Sequence, residues 1–184
     1  MERPFQDMNG HWSSDSTSYL YTLGIVSGMP TDTGVSFRPD NQITRAEFSV
    51  LMANWIGDEA AGFDQILLPF ADAGSIPAWA LPAAKAMYGM GIISGVEKNG
   101  SVYFNPASPI SREEVMTIIG RTQQRGFTEN DLVTFADNSQ VSAWALPYVK
   151  TLVQQGVVSG YDNKLWPKNP VTRAQVATII TNLN

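Results

Sequence analysis

The chain has 184 residues, 43% of them hydrophobic, with 12 Lys and Arg against 17 Asp and Glu and a formal net charge of −5. That balance excludes a broad electrostatic attraction to nucleic acid or to an anionic membrane, so an anionic ligand would have to be held by a few placed cations. With no cysteine, disulfides and thiolate metal sites are excluded as well. No run approaches the roughly 20 apolar residues that span a bilayer, and Met1-Glu2-Arg3-Pro4 does not open a signal peptide. The chain reads as a soluble globular piece of something longer, with no membrane insertion and no nucleic-acid partner.

Self-similarity organises the sequence. Phe70-Ala-Asp72 recurs as Phe135-Ala-Asp137, 65 residues on, and Phe5-Gln-Asp7 lies 65 residues upstream. Trp12, Trp79 and Trp144 follow, then Gly24-Ile-Val-Ser-Gly28, Gly91-Ile-Ile-Ser-Gly95 and Gly156-Val-Val-Ser-Gly160, then Pro39, Pro106 and Pro167, each six residues before Arg45, Arg112 or Arg173. The expected repeats span 1–57, 70–125 and 135–184, with connectors over 58–69 and 126–134.

In each repeat a first helix precedes the glycine loop. In repeats two and three, Pro82 and Pro147 suit a first helical turn, where a missing N–H costs nothing, and Gly91 and Gly156 suit its close. In repeat one the run Ser13-Ser-Asp-Ser-Thr-Ser18 favours caps and turns over helix interiors, so that helix is expected to start late. A second helix opens at Thr44, Ser111 and Thr172, each followed three residues later by Glu47, Glu114 or Gln175, the pattern of a capping box. Behind the boxes, Phe48, Leu51, Met52 and Trp55, then Val115, Ile118 and Ile119, then Val176, Ile179, Ile180 and Leu183 form one apolar stripe per helix. A unit of about 60 residues is marginal alone. The expected fold is therefore mostly α, three helix-loop-helix repeats packed as a pseudo-threefold, three-pronged bundle around one core.

Taken together, these landmarks resemble the S-layer homology (SLH) domain family in three tandem copies over nearly the whole chain. The resemblance implies a noncatalytic, extracellular cell-wall or S-layer anchoring module in a bacterium, fused to cargo or to an S-layer protein. It implies binding of secondary cell-wall polysaccharide through a pyruvylated N-acetylmannosamine unit in grooves between repeats, with Arg45, Arg112 and Arg173 meeting the acidic sugar. Glu113 departs from the family's alanine and is expected to weaken the site beside Arg112. Repeat one carries Ser18 where Lys85 and Lys150 stand in the others, so the grooves are expected to be unequal. The alternative function is a protein-interaction or lattice-forming module.

The residues carry plainer readings too. Each arginine stands at a helix start beside backbone N–H groups that favour anions, and its fork suits a carboxylate. Residue types alone favour arginines that brace repeats against neighbouring carboxylates over ligand contacts; the resemblance reverses that preference. Core packing is the first expectation for Trp12, Trp79 and Trp144, sugar stacking the second. Lys85 and Lys150 are solvated lysines or donors to a sugar. Gly28, Gly95 and Gly160 serve backbone conformation or the close approach of a ligand. Capping accounts for Thr44, Glu47, Ser111, Glu114, Thr172 and Gln175. His11 is the only histidine, no ligand-spaced cluster or calcium loop accompanies it, and Glu113 and Glu114 diverge on a helix; neither enzyme activity, a metal nor a cofactor is expected.

Overall fold

A computed structural model describes residues 4–123 and 135–183. The connector expected over 126–134 lies outside the described residues. Six α-helices are described: α1 Ser14–Thr22, α2 Arg45–Ile56, α3 Leu81–Gly89, α4 Arg112–Thr122, α5 Leu146–Gln154 and α6 Arg173–Thr181. Two antiparallel hairpins join them, β1 Met29–Thr31 with β2 Gly34–Ser36, and β3 Val96–Lys98 with β4 Ser101–Tyr103. The helical expectation holds only coarsely, because the hairpins between the helices of repeats one and two are too short to announce themselves by alternation. In repeat three the hairpin shrinks to a single bridge between Tyr161 and Lys164, with Asp162 at φ 53° and Asn163 at φ 57° supplying a left-handed turn.

Two compact units make up the described chain: residues 43–110, and the residues on either side of them. Within the 43–110 unit α2 packs on α3. Within the other, α4 packs on α5 and α6 on α1. Each pair thus joins the second helix of one repeat to the first helix of the next, with the third repeat followed by the first. The stripes meet at these pairs: Phe48 and Met52 on α2, Val115 and Ile119 on α4, and Val176 and Ile180 on α6 are fully buried. Trp55 and Leu183, at the stripe ends, are half-buried.

The first helices end alike. Gly91 and Gly156 stand at φ 71° and 70° just past α3 and α5, a conformation that closes a helix at no steric cost. The two residues after each helix-closing glycine then return their N–H groups to one buried residue's carbonyl: Leu20, Met87 or Leu152. The aliphatic pairs Ile25-Val26, Ile92-Ile93 and Val157-Val158 are buried as a result. In repeat one the late start is overturned: α1 begins two residues after Trp12, as α3 and α5 begin two residues after Trp79 and Trp144. Burial of Leu20 and the packing on α6 outweigh the weak propensity of the serine run. The same packing takes Ser13, Ser14, Thr17 and Ser18 out of solvent.

Candidate functional site

The aspartate of each Phe-x-Asp opening holds the turn around the later proline. Asp7 accepts from Phe37 N at 2.8 Å and Arg38 N at 2.6 Å. Asp72 accepts from Phe104 N at 2.7 Å and Asn105 N at 2.8 Å, and Asp137 from Leu165 N and Trp166 N, both at 2.8 Å. Each carboxylate thereby fixes a residue in the left-handed region: Arg38 at φ 57°, Asn105 at 55° and Trp166 at 55°. The phenylalanine opening each repeat packs where the second loop glycine leaves room. A Cβ on Gly28 would stand 2.5 Å from Phe5 Cε1, one on Gly95 2.7 Å from Phe70 Cε1, and one on Gly160 2.9 Å from Phe135 Cδ1. Packing accounts for Gly28 and Gly160, and only Gly95 of the three adopts a positive φ, 80°.

These turns cover the starts of the second helices. Arg45 N and Ala46 N donate to Ser108 O and Pro106 O, Arg112 N and Glu113 N to Asn169 O and Pro167 O, and Arg173 N and Ala174 N to Asn41 O and Pro39 O. The third N–H of each helix goes to the capping hydroxyl of Thr44, Ser111 or Thr172, and Glu47, Glu114 or Gln175 returns the bond to complete the box. The expectation of free N–H groups beside the arginines is therefore corrected. The first three donors of each helix are spent on the next repeat's proline turn and on the cap, so an anion there must be met by side chains.

The guanidinium groups reach carbonyls of the following repeat. Arg45, 6% exposed, donates from Nε to Phe104 O at 2.6 Å and lies over that ring at 5.9 Å. Arg173 donates from Nε to Phe37 O at 2.8 Å and from Nη2 to Ser27 O at 3.2 Å, with its Cζ 4.7 Å from the Phe37 ring. Arg112 donates from Nη2 to Ser159 O at 2.7 Å, while its Nε is buried without a hydrogen-bond partner among the described residues. Burial alone pushes the Arg112 pKa down from the usual arginine value. Bracing between repeats is real in these bonds, and it runs through carbonyl oxygens.

Glu113 does not crowd Arg112 as its place in sequence suggested. Its carboxylate, 3% exposed, turns to the start of the third repeat, accepting from Ser142 N and Ser142 Oγ at 2.9 Å each. Lys168 Nζ neutralises it at 2.5 Å. Ser142 and Lys168 held no place among the expected site residues, and neither recurs with a partner glutamate in another repeat, so repetition offered no signal for them.

The tryptophans are not core residues. Trp12, Trp79 and Trp144 are 64%, 59% and 50% exposed, each in the turn just before α1, α3 or α5. The apolar stripe is filled instead by alanines and aliphatics one helical turn on, such as Ala84 and Val149. Lys85 donates to Asp64 O at 2.6 Å, tying the connector to α3, and Lys150 sits half-buried on α5. His11 faces Asp40 from Nε2 at 3.5 Å and Ser13 from Nδ1 at 2.9 Å. Among the described residues no group of three or more His, Asp or Glu side chains is placed to hold a metal, and no helix is long and apolar enough to cross a membrane.

Comparison with known proteins gives the same threefold division. The model of the S-layer homology domain matches at residues 4–49, 69–116 and 134–177. The chain is 30% identical to an endoglucanase of Bacillus sp. (strain KSM-635) over 98% of its own length and 18% of that protein. It is 29% identical to the surface-layer 125 kDa protein of Lysinibacillus sphaericus over 96% of the chain and 14% of that protein. A cellulosome-anchoring protein of Acetivibrio thermocellus is 29% identical over 85% of the chain and 34% of that protein. The chain thus spans a minor part of each of these relatives.

Proposed function

Because the chain belongs to the S-layer homology domain family, with the family model matched three times in tandem, we propose that it is a noncatalytic module anchoring a larger protein to bacterial cell-wall polysaccharide. The tandem match carries this reading. Relatives named as a surface-layer protein and a cellulosome-anchoring protein support it, and the matched region is only 18% of the endoglucanase, which leaves ample chain for that protein's catalysis. The site of action is the outer face of a cell wall, and the partners are an acidic glycan and whatever chain the module is fused to. The pseudo-threefold, three-pronged arrangement of the repeats belongs to the same proposal.

At finer grain, the ligand is a pyruvylated N-acetylmannosamine unit, its carboxylate met by an arginine at the start of a second helix and its ring by an exposed tryptophan. The arginines are unequal in this role. Arg45 is buried on Phe104 O, whereas the half-buried Arg112 keeps an Nε with no partner among the described residues. A partly open guanidinium with no carboxylate placed against it among the described residues favours an ionised acceptor. Titration calorimetry with purified cell-wall polysaccharide, before and after removal of its acidic substituents, tests the reading: binding to the intact polymer and its loss on removal is the expected result. Equal binding to both preparations overturns the acidic-sugar mechanism, and no binding to either overturns the anchoring function.

A further inference from the structure

Repeat three differs from the other two at one point of its proline turn. The left-handed position held by Arg38 and Asn105 is occupied by Trp166, at φ 55°. A bulky side chain is an outlier there, whereas asparagine takes that conformation readily. The ring is also fixed in place: Nε1 donates to Tyr161 O at 3.2 Å, and Lys164 Nζ lies over the indole, 4.6 Å from its centroid. Tyr161 itself is 79% exposed. The shortened bridge between Tyr161 and Lys164 brings these residues beside the loop whose Ser159 O receives the Arg112 guanidinium. Trp166 and Lys164 are half-buried beside the exposed Tyr161, and unfavourable backbone geometry that survives at a partly open cluster points to a use for the side chain.

Resting on the anchoring function proposed above, we infer that Trp166, with Tyr161 and Lys164, forms a carbohydrate-stacking platform beside Arg112, so that the junction of repeats two and three reads the acidic glycan. The indole offers a flat apolar face to a pyranose ring, and Lys164 and Arg112 offer two cations to an anionic substituent on that ring. Arg112 is half-buried, with no carboxylate placed against it among the described residues, so an anionic substituent would supply its counter-charge. The corresponding turns of repeats one and two carry no aromatic side chain at this place, which makes the platform a specificity element of one junction.

The test uses the whole chain and purified cell-wall polysaccharide with intact acidic substituents. Trp166→Asn installs the residue that repeat two already uses, removing the ring while suiting the backbone; Trp166→Phe keeps an aromatic face, and Arg38→Asn is the matched control in repeat one. Trp166→Asn is expected to weaken binding about tenfold with an unchanged or raised melting temperature, Trp166→Phe to retain most of the affinity, and Arg38→Asn to bind as the parent does. Parent-like affinity in Trp166→Asn overturns the inference while leaving the anchoring function standing, as does an equal loss in Arg38→Asn. A parent that does not bind the polymer overturns both. If Trp166→Asn melts early, Tyr161→Ala and Lys164→Gln decide: weakened binding in either supports the platform, and parent-like binding in both overturns it.

Discussion

At the scale of single residues, the repeat motifs divide between side chains that hold backbone and side chains left facing outward. The three aspartates belong to the first kind. Each carboxylate accepts two backbone N–H groups of the proline turn, and Asp7 also takes the Ser36 hydroxyl at 2.6 Å. For Asp7, burial raises the pKa, but the bonds from Ser36, Phe37 N and Arg38 N outweigh it and hold the carboxyl below its ordinary value of 3.8. A folded-state pKa below the unfolded one means that the stabilisation is fully present above about pH 4 and is lost as pH falls through the lower, folded value. Asp7→Asn is accordingly expected to be less stable than the parent at pH 6, with the gap closing as the pH drops below 4; urea unfolding across that range measures it. A gap that stays constant into acid would mean that the carboxylate's charge plays no part in holding the turn. The recurrence of Phe-x-Asp was visible in sequence, but its partners were not, since 28 to 33 residues separate donor from acceptor. Burial of the tryptophans was misjudged for a related reason: a helix-start position does not reveal which way the turn before it faces.

At the scale of elements, the capping boxes were legible because the interaction is local: hydroxyl, first turn and carboxylate or amide lie within four residues. All three second helices start where the boxes place them. The start of α1 was illegible because a tertiary contact decides it. Its partner α6 makes the serine-rich segment helical and so buries hydroxyls where the equivalent positions of α3 and α5 carry Ala84 and Val149. Thr17, fully buried, has a hydroxyl with no hydrogen-bond partner among the described residues, and Ser14 is in the same condition. Leaving a buried donor unsatisfied costs about 1–3 kcal/mol, and valine matches threonine in shape without the hydroxyl. Thr17→Val, which copies the residue of repeat three, is therefore expected to raise the thermal midpoint by several degrees. An unchanged or lowered midpoint would show that the hydroxyl is satisfied in solution. The Glu113, Ser142 and Lys168 contact works in the opposite sense, adding at the α4 and α5 pair a charged tie that the other pairs lack at this position, where Ala46 and Ala174 stand.

At the scale of the whole molecule, the decisive fact is where each repeat finds its packing partner. The order of motifs suggested three helix-loop-helix units sharing one core, without saying which first helix each second helix would meet. The pairs instead run between repeats: α5 of repeat three lies on α4 of repeat two, and α6 of repeat three on α1 of repeat one. The start of α4 is likewise covered by the turn at Pro167 and Asn169, and the start of α6 by the turn at Pro39 and Asn41. Repeat three alone, residues 135–184, therefore loses the apolar partner of both its helices and the covering of one helix start. Each of those helices has 9 residues, below the roughly 12–15 at which an isolated helix becomes even marginal in water. A peptide of residues 135–184 is expected to give a coil-like circular dichroism spectrum with no cooperative melt. Adding a 1–125 fragment, which carries both missing partners, is expected to restore helical signal beyond the sum of the two spectra, saturating with concentration as the pairs re-form. A cooperative melt in the isolated peptide would show that a repeat closes on its own helices in solution, and the cross-repeat pairing would then not be what stabilises the fold.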